Sequence, residues 1–402
     1  MSHMWLLYQF YCSGGGMKIY LLYIMFSCLL IVTNSTANTF SVTQVTDNSF
    51  YDYNPQINSN GQIVWSQYDG NDYEIFLYDN NSILQLTNNS YIDSDPQINS
   101  TGNVVWAGGL SLDKHEIYLY DGNQTIKLTN NSFRDLYPKI SREGSIVWTM
   151  NDGNDQEVFY YDGATITQLT NNIYHDYPVQ QSSNGYVVWA GYDGYDYEIF
   201  LYNGVTTVQI TDNDFDDFLP QVNDHGEVVW HGGTTGSDYE IYLYNGSSIS
   251  QLTNNSYNDN KPKINSEGHV VWVGNDGNDY EIYLYNGVST TKITDDIYNN
   301  FNPQINDNGW IVWEGFDGHD YESFIFDGIS TTQLSDNDFQ DYGPQINSKG
   351  DVVWFGGVDS DSFELYLASS SDQRTVPEPS TIVLFSLGIL FFAAHKRNQK
   401  FN

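Results

Sequence analysis

Short apolar runs separated by polar turns repeat along most of the chain. In one unit these runs fall at residues 55–58, 62–65, 73–78 and 83–87. They are bounded by turn pairs such as Asn60-Gly61 and Asp69-Gly70, which are typical of β-hairpins. The run at 63–65 (Ile-Val-Trp) is apolar at consecutive positions, as expected for a strand covered on both faces. The pattern therefore predicts four short strands in each unit.

Tryptophan, proline and glycine recur in three registers over the same region. Successive tryptophans are 41 or 42 residues apart, and each is preceded by a glycine four residues earlier. The tryptophans are Trp65, Trp106, Trp148, Trp189, Trp230, Trp272, Trp313 and Trp354. Four strands per unit is the size of a propeller blade, and the apolar period of a helical repeat is absent. The sequence thus predicts an all-β, eight-bladed β-propeller of four-stranded antiparallel blades, with these tryptophans in the blade cores.

The two ends of the repeat region complement each other. The last unit ends at residues 363–367 and lacks a fourth strand, whereas residues 42–46 match the fourth-strand motif. We predict that the N-terminal strand, about residues 41–46, joins the last blade and closes the ring, which removes exposed strand edges.

The regions outside the repeats predict export. Residues 1–37 are interpreted as an N-terminal extension and a secretory signal that starts at Met17, with Lys18, an apolar run at 19–32 and small residues at 35–37. An uncleaved membrane anchor is the alternative. Both cysteines, Cys12 and Cys28, lie in this region, so a mature domain at 38–373 has no disulfide.

The repeat resembles a known family. The pattern at residues 262–294, which contains proline, Gly-x-Val-Val-Trp, Asp-Gly-x-Asp-Tyr-Glu-Ile-Tyr-Leu-Tyr and a closing threonine, is similar to the TolB-type propeller repeat. The resemblance covers about residues 41–367 and implies the propeller fold. Nothing in the chain matches the separate N-terminal domain of TolB, so the role of TolB is not implied.

The C-terminal segment, residues 374–402, carries a second resemblance. Val376, Pro377, Glu378 and Pro379 precede an apolar run at 382–394 and a basic end at 395–400. This order is similar to the PEP-CTERM sorting signal, which implies an exosortase as the processing partner. Basic residues after a short apolar run favour a helix held transiently in the inner membrane before the protein reaches the surface. An ordinary tail anchor is the alternative.

The turns between second and third strands supply the candidate ligand-binding rim. The rim residues are Asp69, Asp72, Asp152, Asp155, Asp193, Asp196, Asp276, Asp279, Asp317 and Asp320. Oxygen ligands of this kind suit Ca²⁺, and neighbouring tyrosines suit sugars. The alternative is that these residues only shape their turns, since Asp and Asn bond their own backbone in loops. A glutamate repeated on all eight third strands predicts a structural hydrogen bond.

Charge and repetition limit the function classes. A net charge of −37 makes nucleic acid an unsuitable partner. Near-identical repeats do not supply the unlike acid and base of a catalytic site, and the departures from the repeat are scattered. These departures are Lys114, His115, Arg134, His175, His231 and His319. We expect a monomeric, non-enzymatic surface or matrix module that binds a carbohydrate polymer. The alternatives are a glycan-active hydrolase or lyase and a scaffold for a surface protein.

Overall fold

A computed structural model describes residues 38–111, 114–234, 238–357 and 362–371. The predicted leader and signal peptide (1–37) and the sorting tail (374–402, with Val376 to Pro379) lie outside the described residues. No helix within the described ranges is long and apolar enough to cross a membrane. The predicted tail helix at 382–394 lies outside the described residues.

Eight four-stranded antiparallel sheets account for the described strands. Blade 1 contains β2 (Asp52–Ile57), β3 (Ile63–Tyr68), β4 (Tyr73–Asp79) and β5 (Ser82–Gln85). Blade 2 contains β6 (Ile92–Ile98), β7 (Val104–Gly109), β8 (Glu116–Tyr120) and β9 (Thr125–Lys127). Blade 3 contains β10 (Arg134–Ile140), β11 (Ile146–Asn151), β12 (Gln156–Tyr161) and β13 (Ile166–Gln168). Blade 4 contains β14 (Gln180–Gln181), β15 (Val187–Tyr192), β16 (Tyr197–Tyr202) and β17 (Thr207–Gln209).

The remaining blades follow the same order. Blade 5 contains β18 (Asp216–Val222), β19 (Val228–Gly233), β20 (Glu240–Tyr244) and β21 (Ile249–Gln251). Blade 6 contains β22 (Asp259–Ile264), β23 (Val270–Asn275), β24 (Tyr280–Tyr285) and β25 (Thr290–Lys292). Blade 7 contains β26 (Asn300–Ile305), β27 (Ile311–Phe316), β28 (Tyr321–Phe326) and β29 (Thr331–Gln333). Blade 8 contains β30 (Gln340–Ile346), β31 (Val352–Gly357), β32 (Glu364–Ser371) and, from the start of the chain, β1 (Thr39–Gln44).

The ring closes as predicted, by pairing β1 with β32. Val42 lies opposite Ala368 in this pair. The closing strand spans 39–44 and not 41–46, although the backbone N–H of Val45 still donates to the Leu365 carbonyl at 2.7 Å. The ring is also closed at the hairpins between first and second strands. There Asn347 Nδ2 of blade 8 donates to the Asn58 carbonyl of blade 1 at 3.1 Å. The eight-bladed fold predicted from the repeats is confirmed.

The tryptophans form the blade cores. All eight are at most 1% exposed, and each packs on an aromatic ring of the third strand, as Trp65 does on Phe76 with 5.7 Å between centroids. The Trp65 indole N–H donates to Asp52 Oδ1 at 2.8 Å. Buried apolar residues of neighbouring blades pack together, as Val64 does with Trp106. The repeated tryptophan is thus a packing residue, as predicted.

The repeated third-strand glutamate makes the predicted structural bond. In blade 1, Glu74 Oε1 accepts the backbone N–H of Asn89, in the loop to blade 2, at 2.6 Å. The same bond recurs from Glu116, Glu157, Glu198, Glu240, Glu281, Glu322 and Glu364. Each blade therefore holds the loop that leads to the next blade.

The first strands begin earlier than the sequence pattern predicts. The pattern places the start of the first strand at Pro55, whereas β2 begins at Asp52. The register shifts between Tyr53 and Gln56, so the strand continues across a bulge at Asn54-Pro55. The same shift occurs in six other blades. The Asn-Pro pair resembles a turn in the sequence, but in the structure it forms a bulge within a continuous strand.

Candidate binding face at the upper end of the ring

The acidic hairpins define what we call the upper end of the ring. In blade 1 the hairpin joins β3 to β4, and the Asp69 backbone N–H donates to the Asp72 carbonyl at 3.0 Å. The interblade loop lies at the same end, because Asn89 bonds to Glu74 at the start of β4. Asp52, at the beginning of β2, pairs with Gln67 near the end of β3. The start of the first strand thus also lies at the upper end.

The first aspartate of each hairpin is used by its own turn. Asp69 Oδ1 accepts the backbone N–H groups of Asn71 at 2.9 Å and Asp72 at 3.3 Å. The same pair of bonds forms at Asp152, Asp193, Asp276 and Asp317. One oxygen of each of these aspartates therefore shapes its own turn, as the alternative interpretation of the hairpins predicts.

The second aspartate has a different environment. In blade 3, Asp155 is 3% exposed, and neither carboxylate oxygen has a hydrogen-bond partner among the described residues. Burial, together with the nearby Asp152 carboxylate, raises the pKa of Asp155. One buried oxygen is likewise without a described partner in Asp72, Asp196, Asp279 and Asp320.

The structure brings the hairpin aspartates to the third-strand glutamate. In blade 3, one oxygen from each of Asp152, Asp155 and Glu157 lies within 4.8 Å of the others. We call such a group a carboxylate cluster. Four further clusters contain Asp69, Asp72 and Glu74 in blade 1; Asp193, Glu198 and Asp212 in blade 4; Asp276, Glu281 and Asp295 in blade 6; and Asp317, Asp320 and Glu322 in blade 7. The glutamate was assigned only a structural role from the sequence.

Eight varied residues lie near the start of the first strands, at the upper mouth of the channel that these strands enclose, and all except the one in blade 4 line its hollows. Each precedes the repeated proline of its blade, and together they are Asn54, Asp95, Tyr137, Tyr177, Leu219, Lys261, Asn302 and Gly343. We call them the mouth residues. Tyr137 is 50% exposed and Tyr177 is 41% exposed. These residues were not predicted as functional from the sequence, although an alignment of the eight repeats shows that they vary.

The backbone at most mouth residues adopts a conformation that favours glycine. Positive φ angles include 54° at Tyr137, 49° at Leu219 and 52° at Lys261. Asn54, Asp95 and Asn302 share this conformation. A left-handed backbone costs an ordinary residue about 1–2 kcal/mol, yet only blade 8 has glycine here, Gly343. Asparagine and aspartate tolerate this conformation, so the cost falls on Tyr137, Leu219 and Lys261, at the bulge that seven blades share.

Amides and lysines line the channel below the mouth. The residue after each repeated proline is Gln or Lys in seven blades, and Gln180 lies two residues after Pro178 in blade 4. These side chains border hollows of 330 and 410 Å³. Burial and the charges of Lys139 and Lys261 lower the pKa of Lys263 to about 8. Although the whole chain is strongly acidic, its channel is therefore locally cationic.

Two buried groups, each found in one blade, support the mouth. His231 Nδ1 accepts the backbone N–H of Lys261 at 3.3 Å, and burial lowers the pKa of His231 to about 4. Glu314 Oε1 accepts the N–H of Gly343 at 2.6 Å, and its Oε2 accepts Asn302 Nδ2 at 2.8 Å. His231 is thus a positioning residue for the mouth.

The other departures from the repeat do not converge on one site. His115 is buried, and burial followed by the charge of Arg134 lowers its pKa. His175 is exposed in the loop between blades 3 and 4, and His319 is exposed in the acidic hairpin of blade 7. Lys114 lies in the blade 2 hairpin. Within the described ranges these residues form no acid and base pair around a common cavity.

Comparisons with known proteins agree with the fold and the sorting tail. The chain is similar to the β-propeller domain of the trilobed protease from Pyrococcus furiosus, with 14% identity, coverage of 72% of this chain and 99% of that one, and a TM-score of 0.50. It is also similar to dipeptidyl peptidase 4 from Porphyromonas gingivalis, with 12% identity, coverage of 75% and 55%, and a TM-score of 0.56. The chain spans about half the length of that peptidase. Such distant similarity shows the fold alone. No curated protein matched the chain.

The described residues therefore form an eight-bladed β-propeller. Residues 375–397 match the PEP-CTERM protein-sorting motif. The chain consequently carries a sorting signal of exported proteins that is recognised by exosortase.

Proposed function

We propose that this exported propeller is a non-enzymatic binding module of the cell surface or extracellular matrix, with a carbohydrate polymer as its ligand at the channel mouth. One observation carries the proposal. The mouth residues differ among otherwise similar blades, and Tyr137, Leu219 and Lys261 stand there on a backbone that favours glycine, asparagine or aspartate. Retaining these side chains at a conformational cost supports a binding role.

The chemistry of the mouth supports a sugar ligand. Half-exposed tyrosines, including Tyr53, Tyr137 and Tyr177, offer ring faces for the apolar faces of sugars. The amides and lysines below them offer hydrogen bonds to hydroxyl or carboxylate groups. The sorting tail supports the surface location. A tethered precursor at the inner membrane is part of this proposal.

Calcium is the cofactor that we propose for the same upper end, because the carboxylate clusters offer the oxygen ligands that it prefers. A glycan-active enzyme and a scaffold for a surface protein stay as alternatives, and the binding experiment separates them.

The purified chain should be tested for binding to a neutral glucan and to a uronic-acid polysaccharide, with the length of each polymer followed in the same samples. We expect binding without shortening, and a loss of about tenfold in affinity for Lys261→Ala. Lys349→Ala is the matched control, since Lys349 is an exposed lysine in the hairpin between β30 and β31, away from the mouth. Shortening of the polymer would instead support the enzyme. Absence of binding to both polymers would contradict the carbohydrate proposal.

A further inference from the structure

The carboxylate cluster of blade 6 contains a lysine, whereas the other four described clusters contain no positively charged side chain. Lys292 Nζ lies 2.9 Å from Asp276 Oδ2, 3.1 Å from Glu281 Oε1 and 2.6 Å from Asp295 Oδ1. It therefore contacts all three carboxylates of the blade 6 cluster and offsets one of their negative charges. The lysine comes from β25, the outermost strand of the blade. Its position marks where a cation is stabilised between the hairpin and the third strand.

The equivalent residue is an uncharged glutamine in the other four blades with clusters. These residues are Gln85, Gln168, Gln209 and Gln333. Their clusters hold the same type of carboxylates without an ammonium group.

Buried aspartates with unpartnered oxygens belong to two of the clusters. In blade 3, Asp155 is 3% exposed with both oxygens unpartnered among the described residues. Buried carboxylates need a hydrogen-bond donor or a cation. Asp320, with Oδ1 unpartnered, repeats this arrangement in blade 7.

We propose that blades 1, 3, 4 and 7 each bind one Ca²⁺ ion at the carboxylate cluster, and that Lys292 replaces the ion in blade 6. The count follows from five clusters, of which one holds the lysine. Calcium takes six to eight oxygen ligands at about 2.3–2.6 Å, with carboxylates among them, in a flexible geometry. Magnesium requires shorter bonds in a stricter octahedron.

The bound ions would stabilise the joints between blades. In blade 6 the glutamate oxygen that meets Lys292, Glu281 Oε1, also accepts the backbone N–H of Asp296 in the loop to blade 7. A cation on this glutamate therefore connects the hairpin to the interblade loop. A ligand bound only to the folded chain raises its stability by mass action. These sites lie in the blades and not in the mouth, so their test is independent of glycan binding.

The experiment counts bound Ca²⁺ per purified chain by equilibrium dialysis at neutral pH, with excess Mg²⁺ present. We expect at least four ions for the wild-type chain, one for each described cluster without a lysine. Lys292→Gln should add one ion. Gln168→Lys should remove one, because the new ammonium group would occupy the place of the ion among the intact carboxylates of blade 3. Gln251→Lys is the matched control, since Gln251 is the equivalent residue in blade 5, where no described cluster occurs.

Either of two results would overturn the proposal. One is the absence of bound Ca²⁺, or its displacement by Mg²⁺. The other is an unchanged count in both Lys292→Gln and Gln168→Lys with melting curves that show folded protein. A Gln168→Lys variant that does not fold leaves Lys292→Gln decisive, since that variant keeps all three carboxylates and its folding is checked by melting in saturating Ca²⁺.

Discussion

The interior of each blade repeats the same contacts, whereas the channel mouth differs from blade to blade. Inside, every blade has a tryptophan at most 1% exposed and a glutamate that bonds to the next loop. At the mouth, six different residue types occupy eight equivalent positions. The interior must present one shape to two neighbours, so it tolerates little variation. The mouth faces the channel, and its side chains are free to serve binding.

The largest expected effect is the loss of an interior tryptophan. Trp189→Ala should lower the free energy of unfolding by about 3–5 kcal/mol, because it leaves a cavity between blades. Tyr195→Ala in the same blade is the control, since Tyr195 is 90% exposed. Urea unfolding measures both. If Trp189→Ala proved as mild as the control, the tryptophans would not be the packing residues of the ring.

Stability should also depend on pH, through the interior aspartates. Burial raises the pKa of Asp52, Asp93 and Asp217 to about 7, above the ordinary value of 3.8. The folded chain therefore retains protons that the unfolded chain has lost. This stabilisation is complete below the unfolded pKa and disappears as the pH rises through about 7. Thermal unfolding without calcium should show a free energy lower by about 2 kcal/mol or more at about pH 8 than at about pH 5. Constant stability over this range would contradict these pKa shifts.

Blade 7 suggests how to remove part of this dependence. There the aspartate is replaced by Asn300, which donates Nδ2 to Glu281 Oε2 at 3.1 Å and still accepts the Trp313 indole N–H at 3.0 Å. Four residues before Asn300, in the interblade loop, the chain has Asp296 where the other blades have asparagine. The double variant Asn48→Asp with Asp52→Asn copies this arrangement onto Glu364. Between about pH 5 and about pH 8, we expect the free energy of unfolding of this variant to fall by about 1 kcal/mol less than that of the wild-type chain. An unchanged pH profile would mean that Asp52 is not protonated in the folded chain.

The smallest expected effect on stability is at the mouth. Tyr137→Gly, Leu219→Gly and Lys261→Gly should each change the free energy of unfolding by less than about 1 kcal/mol, because relief of the positive φ offsets the greater freedom of unfolded glycine. Thermal melting measures the change. Leu136→Gly is the contrasting variant, since Leu136 is 5% exposed and should be sensitive. Strong destabilisation by all three mouth variants would indicate a structural role.

The sequence predicts the repeated part of the molecule better than its varied part. Trp65 and its equivalents are visible because packing imposes the same residue eight times. The strand start at Asp52 is missed because Asn54-Pro55 resembles a turn, although the strand crosses it as a bulge. His231 is recognisable as a departure from the repeat, but its contact with Lys261 of the next blade requires the three-dimensional ring.

The acidic hairpins were predicted only in part. Asp72 and its equivalents were identified from the sequence, and the alternative of turn shaping describes Asp69 but not the buried oxygen of Asp72. Glu74 was assigned one role because a single repeated residue suggests a single bond. Lys292 was missed since its effect arises from the outermost strand lying against the hairpin, a contact between residues distant along the repeat.

The most direct test of the central claim is the affinity of the triple variant Tyr137→Gly, Leu219→Gly, Lys261→Gly for the polysaccharide that the wild-type chain binds. Isothermal titration calorimetry should show a loss of at least about tenfold, or 1.4 kcal/mol, with melting behaviour close to that of the wild-type chain. Equal affinity in the folded variant would contradict the claim that the channel mouth is the binding site.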